Sequence, residues 1–233
     1  MSAGPPLEGA YHNAADTFWL DARDAALERV RCLLNLEVHK QWTNRLLSPF
    51  QWVTEIITGT DWANFFALRV HPAAQPEMQK IAGMMKGAYD SSEPEEMHVG
   101  GWHLPYIKEV DFEWSYNRVE DLSVGAAQRD LARISAMRCA RVSYLTHDRE
   151  DPDPRKDLSD FEEKLNKQVP KHAAPMEHQA MCMPHSLNEI SMPSFSDSGE
   201  VNGMFRVRQE ARWGNLRGWY PFRMMLPGHV VEG

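Results

Sequence analysis

Cysteine is scarce in this sequence, and its three residues, Cys32, Cys139 and Cys182, lie far apart. An odd, scattered set excludes a disulfide framework and points to a reducing compartment. No apolar run approaches the roughly 18–20 residues that a membrane-crossing helix needs. The opening MSAGPPLEGAYHNAAD has no basic segment followed by an apolar one, so no secretory signal is visible. Positive charge is also short: 25 Lys and Arg face 33 Asp and Glu, a formal net charge of −8. That balance excludes a broad nucleic-acid-binding surface and leaves room for a local arginine cluster that reads a small phosphate. Internal repeats are absent. The expectation is a soluble cytoplasmic protein with neither nucleic acid nor membrane among its partners.

What is present is ordinary globular material, 42% hydrophobic and 25% charged over 233 residues, enough for one large domain or two small ones. Residues 14–47 have helical spacing, with Ala26, Val30, Leu33 and Leu34 on one face and Asp16 or Thr17 as the cap. A β-branched run in QWVTEII precedes a cap at Thr60 or Asp61 and a helix reaching Val70. Pro72 and Pro76 end that helix and start another, from about Ala74 to Tyr89. Between Met97 and Asp121 the pattern reads as turns and short extended pieces, punctuated by Gly100, Gly101 and Pro105. LARISAMRCARVSYL reads as an amphipathic helix or a helix-to-strand passage. In LSDFEEKLNKQV, Leu158, Phe161, Leu165 and Val169 repeat at helical spacing, with Ser159 or Asp157 as cap. From Ala180 onward short strand-like pieces alternate with loops. The expected fold class is α/β in the α+β sense. A helical part (1–96) and a connector (97–130) lead to a mixed α/β part (131–233), all in one interwoven domain.

NFFALRVHPAAQPEM, residues 64–78, carries an arginine in its last helical turn, where a cation suits the helix dipole, and then breaks at two prolines. With HKQWTNRLLSPF, RCARVSYLTHD and HAAPMEH, it forms a set that resembles the flavin-dependent thymidylate synthases. More narrowly, the set looks like the phage-type relatives, in which the blocks occur in circularly permuted order. The resemblance covers roughly residues 38–90 and 131–225. It implies a thymidylate-synthase-complementing-protein-like fold and a homotetramer with active sites at subunit junctions. It also implies methylation of dUMP to dTMP, with FAD as cofactor and NADPH and methylenetetrahydrofolate as co-substrates. A hydroxymethylase acting on dUMP or dCMP for phage DNA base modification is the close variant. A non-catalytic nucleotide- or flavin-binding subunit is the alternative from another class.

By this resemblance Arg45 binds the nucleotide phosphate, for which a guanidinium fork supplies paired donors and a permanent charge. Arg69, by the same resemblance, contacts the pyrimidine and helps ionise its N3, raising electron density at C5, an effect largest in a dry, preorganised site. Asn64, Ser143, His172 and Glu177 line the flavin, and Arg223, in GNLRGWYPFRMM, is a nucleotide-side arginine. Ala174 stands where Ser or Thr is usual. Gln75 and Glu77 match the pattern as residues that hold the helix restart.

Two features stand apart from the pattern. His178, Cys182 and His185 offer ligand types that suit zinc, but at no recognised spacing and with no fourth ligand, so no metal is expected. The family signature R-H-R, followed at fixed distance by serine, has no counterpart; Arg206-Val207-Arg208 comes nearest and lacks the serine. In the permuted relatives that signature lies upstream of the first helix here, so a second polypeptide supplying it in trans is expected. The cysteines fit a flavin chemistry that needs no protein nucleophile, since Cys32 and Cys139 fall in apolar-looking helical segments without a thiolate-stabilising partner.

Overall fold

The computed structural model describes residues 4–118, 124–142, 153–167, 174–183, 189–195, 201–208, 212–213 and 215–229. It is mostly helical with small antiparallel sheets, α+β in broad terms. Among the described residues, no helix is long and apolar enough to cross a membrane.

The first helix, α1 (Gly9–Asn35), starts earlier than its capping signals suggest. Thr17 therefore sits inside it and donates back to the Asn13 carbonyl (2.9 Å). It also stops sooner than residue 47: Leu36 is the C-cap and Glu37 turns with φ 60°, after which α2 (Lys40–Thr43) and a 3-10 turn (Asn44–Phe50) begin. Of the expected face, Val30 is buried, whereas Leu34 is exposed. After a stretch without regular structure, 51–59, comes α3 (Trp62–Arg69), with Asp61 at its N-cap position and Val70 as C-cap. Then α4 (Pro76–Asp90) starts with proline in its first turn, as the sequence predicts.

The connector is not the irregular stretch that its pattern implies. Strand β1 (Trp102–His103) is followed by α5 (Glu109–Arg118). The alternation of Val110, Phe112, Trp114 and Tyr116 mimics a strand, because the buried face of α5 is polar. Asp111 and Ser115, one helical turn apart, point inward, and Ser115 donates to the Ala127 carbonyl (3.0 Å). Helix α6 (Val124–Ala140) is buried nearly all round, with Leu131, Ala132, Ile134, Ser135 and Ala136 at 0% exposure, so it is the central element and not an amphipathic surface helix.

Helix α7 (Pro154–Phe161) is capped by Asp153, whose side chain accepts from the Arg155 N–H, and continues as a π-helical turn (Glu162–Asn166). Asp157 is not its cap. It lies 1% exposed against α6, where Arg138 Nε donates to it (2.8 Å) and Arg141 also pairs with it. Arg138 further donates to both Asp111 carboxylate oxygens (2.6 and 2.8 Å) and to the Tyr106 carbonyl (2.8 Å). One buried guanidinium thus staples α5, α6 and α7, with its donors matched to two carboxylates. Burial alone would raise the Asp111 pKa, but the hydrogen bonds from Arg138 and the Lys108 N–H hold it below the usual carboxylate range.

Strands β2 (Ala180–Cys182) and β7 (Trp219–Pro221) complete an antiparallel sheet in the order β1-β2-β7. Strands β3 (Glu189–Phe195) and β4 (Val201–Arg208) form one hairpin, and β5 (Arg212–Trp213) with β6 (Leu216–Arg217) another. The core lies between α6, α7 and the three-stranded sheet, built from Met137, Phe161, Met176, Met183, Tyr220 and Phe222 among others.

Candidate functional site

Register in the three-stranded sheet decides which residues meet. Ala180 pairs with Pro221 in antiparallel sense, so the chain entering β2 lies beside the chain leaving β7. The Phe222 N–H donates to the Gln179 carbonyl (2.8 Å) and fixes that junction. The single 3-10 turns at Ala174–Glu177 and Phe222–Met225 are therefore neighbours, and Arg223 forms an ion pair with Glu177. Their side chains are 30% and 52% exposed, so the pair is worth little in water and can exchange for a ligand anion.

Next to this pair, His178 Nδ1 lies 3.0 Å from Thr58 Oγ1, a hydrogen bond between residues 120 positions apart in the sequence. Burial lowers the His178 pKa; Glu177 opposes the shift and His103 adds to it. The imidazole is thus neutral near pH 7, a donor at one nitrogen and an acceptor at the other.

Thr58 belongs to the stretch leading into α3, and the neighbouring Thr60 clasps it to the tip of the β5–β6 hairpin. The Thr60 N–H and hydroxyl both donate to the Asn215 carbonyl (3.0 and 3.2 Å), while the Arg217 N–H donates to the Thr60 hydroxyl (3.0 Å). Arg217 and Asp61 add an ion pair at 3.6 Å. These contacts carry the start of α3 against the second part of the molecule.

Two adjoining cavities result. One, of about 300 Å³, is lined by Glu177, His178 and Arg223 among others. The second, of about 260 Å³, is lined by Trp62, Asn64, Phe65 and Arg69 among others. Ile57, Thr58 and Asn215 line both, so a common wall separates them. Trp62 and Phe65 give the smaller cavity an aromatic side, and Trp62 itself stacks on Phe66 (5.7 Å, 24°). Arg69, the last residue of α3, lines that cavity.

The sequence-derived candidates divide accordingly. Asn64 and Arg69 come together in the smaller cavity, and Glu177 and Arg223 in the larger. Arg45 lines neither; it is exposed, with its guanidinium 4.4 Å over the Trp42 ring. Ser143 and His172 lie outside the described residues. Gln75 is the N-cap residue of α4 but makes no side-chain cap bond; Gln79 reaches back instead to the Val70 carbonyl (3.5 Å). Cys139 is buried and its thiol is pushed up to about 11, far from an activated thiolate. Cys182 donates weakly to the Met97 carbonyl (3.8 Å) and His178 faces Thr58, while His185 is outside the described residues. Among the described residues no group of three His, Cys, Asp or Glu can hold a metal ion.

Sequence reasoning missed Thr58 and Asn215, and weighed His178 only as a metal ligand. None has a local signal, because each acquires its place through non-local pairing.

The chain matches no family model, no curated protein and no solved structure. Its chemistry must be read from the site. A flat ring with a polar edge suits the arrangement: aromatic side chains for its face, amides and a neutral imidazole for its edge, arginines for negative charge.

Proposed function

We propose that this chain is a flavin-dependent enzyme of thymidylate-synthase type, with a thymidylate-synthase-complementing-protein-like fold, that methylates dUMP to dTMP. Methylenetetrahydrofolate donates the one-carbon unit and NADPH the reducing equivalents, in a cytoplasmic setting. The observation that carries the reading is the meeting of Asn64 and Arg69, from one end of the sequence, with Glu177 and Arg223, from the other, around a shared wall. Two of the motif blocks that resemble the family supply Asn64, Arg69 and Glu177 independently of the geometry, and GNLRGWYPFRMM supplies Arg223.

The residues present fit the ring portion of a flavin. The Asn64 amide, His178 and the Trp62–Phe65 side offer edge and face contacts, and each cavity has room for one ring system. FAD, when bound, would supply the hydride that completes the methyl group. The chain's own groups do the rest. Arg69 holds negative charge on the pyrimidine in place. Arg223 leaves Glu177 for the nucleotide phosphate, and His178 keeps Thr58 oriented. Arg45, outside both cavities, serves the phosphate at a neighbouring copy's site.

Assembly as a homo-oligomer is part of this reading. The exposed large apolar side chains among the described residues fall between Leu7 and Tyr116, with Tyr11 at 79%, Phe18 at 71% and Trp52 fully exposed. Surfaces of that extent are covered by partners. The contacts of the R-H-R signature, which the sequence lacks, come in this reading from a second polypeptide.

The direct test is an absorbance spectrum of the purified protein with FAD, with and without dUMP. Bound-flavin bands are expected, and conversion of dUMP to dTMP once methylenetetrahydrofolate and NADPH are supplied. No flavin uptake even with dUMP present would remove the reading. In Arg69→Lys, turnover is expected to vanish with circular dichroism unchanged, since an ammonium cannot replace a flat, delocalised cation. Persistence of near-normal turnover would exclude Arg69 as the base-contacting group.

A further inference from the structure

We propose that α1 is a self-complementary interface: two copies of this chain pair their first helices antiparallel, about a two-fold axis at Ala25. This rests on the homo-oligomer named above and on none of the chemistry. One face of α1 is already covered within the protomer. Ala26, Leu27 and Leu33 are half-buried and Val30 is buried on that side, and Trp19 meets the Phe50 ring (5.3 Å). About a quarter turn away runs a second line, Tyr11, Ala15, Phe18, Ala22, Ala25 and Cys32, exposed along its whole length. Its members follow one another at alternating steps of four and three residues, with Arg29 in the remaining place. That spacing lets one helix lie along another, and the alanines in the middle permit close approach.

Charge decides what covers this line and in which direction. A parallel copy would set Arg29 against its own counterpart inside the seam. Reversed about Ala25, Phe18 of one copy faces Cys32 of the other, Ala22 faces Arg29, and Ala25 faces itself. The flank of the seam gives the same answer. Asp21 and Arg31 have no ion-pair partner among the described residues of the protomer. The reversed register brings Asp21 of each copy opposite Arg31 of the other, so the attraction occurs twice. Asp24 and Glu28, which the same register sets opposite each other, are already paired with Arg23 and Arg29. Apolar seam and flanking charges thus both match a second copy of the same helix, as an isologous contact requires.

Oxidative cross-linking of the full chain, read on a non-reducing gel beside sedimentation, tests this. Ala25→Cys in a Cys32→Ser background is expected to give a covalent dimer, since its thiols meet at the axis while Cys139 and Cys182 are buried. The wild type is expected to stay unlinked, because the two Cys32 residues lie about 20 Å apart along the reversed pair. Asp21→Arg should weaken assembly about tenfold by turning both attractions into repulsions, and adding Arg31→Asp to the same chain should restore it. Every substitution falls on an exposed position, and unchanged circular dichroism of each variant confirms intact folding. A wild type that sediments as a single protomer at all concentrations removes the homo-oligomer reading, and this interface with it. An assembled protein in which the position-25 thiols stay unlinked, or in which the wild type links through Cys32, overturns the interface alone, as does a charge swap that fails to restore assembly.

Discussion

Helices α1 and α6 belong to the same chain but live in opposite environments. The 27-residue α1 buries Val30 and leaves Tyr11, Phe18 and Trp19 in solvent. The 17-residue α6 buries residues on every side, including Arg138 at 7% exposure. The contrast extends beyond the two helices: before residue 97 the buried apolar side chains are Val30, Phe66 and Ala82, while the rest of the core lies between Ala126 and Leu226. A helix in water draws its stability mainly from packing of one face, so α6 is self-sufficient within the protomer and α1 is not. The second part of the molecule is a scaffold; the first part presents surface. The candidate site lies where the two are clasped together.

Breaking the scaffold should cost most. Arg138→Met strands the buried Asp111 carboxylate and leaves Asp157 with Arg141 alone, and is expected to destabilise the fold by about 3–5 kcal/mol in urea unfolding. A loss below about 1 kcal/mol would show that α5, α6 and α7 hold together without the staple. Breaking the clasp is the next largest effect. Thr60→Val removes the hydroxyl shared by Asn215 and Arg217, contacts that water can partly replace, so dUMP binding should weaken by about 1–2 kcal/mol with little change in the urea midpoint. Equal losses in both measurements would mean that the clasp belongs to the scaffold.

Acid separates the two parts by pH. Asp111 has a lowered pKa when folded, so its stabilisation is present above its unfolded value near 3.8 and is lost as pH falls through the lower folded value. Unfolding of the scaffold should therefore set in below about pH 4. Burial lowers the folded pKa of His178 from its ordinary value, so the imidazole is mainly neutral between pH 8 and 7. Nucleotide affinity should be flat over that span and fall only when the imidazole gains its proton; stability also declines with falling pH between 6.5 and the folded value, because the unfolded chain then binds more protons. An affinity that already drops between pH 8 and 7 would place a different titrating group at the site. The smallest expected effect is that of Phe18→Ser on the isolated protomer, within about 0.5 kcal/mol, while sedimentation should show weakened assembly. A large fall in protomer stability would contradict the exposed state of α1.

The same contrast governs what could be read in advance. Helices α3, α4 and α7 were legible because proline and apolar spacing act locally: Pro76 opens α4, and Leu158 and Phe161 mark the buried face of α7, although its cap is Asp153 and not Ser159 or Asp157. Helix α5 was hidden because its inward face is Asp111 and Ser115, polar residues whose partners lie on other helices. The early end of α1 at Leu36 and the all-round burial of α6 are tertiary outcomes that periodicity does not encode. In the site, Asn64 and Arg69 share one helix, and the motif resemblance, not helical spacing, is what named both. Glu177 with Arg223, and Thr58 with His178, meet only through the β2–β7 register and the Thr60 clasp. Long-range register leaves no trace in a short window of sequence.

The most direct measurement is the flavin absorbance of FAD-loaded protein while dUMP is added, for the wild type, Arg69→Ala and Arg223→Ala. A saturable spectral change in the wild type is expected, lost or strongly weakened in each variant, because one arginine comes from each part of the chain. A protein that takes up no flavin in the presence of dUMP, or a change that survives both substitutions, would contradict a single site built from the two parts.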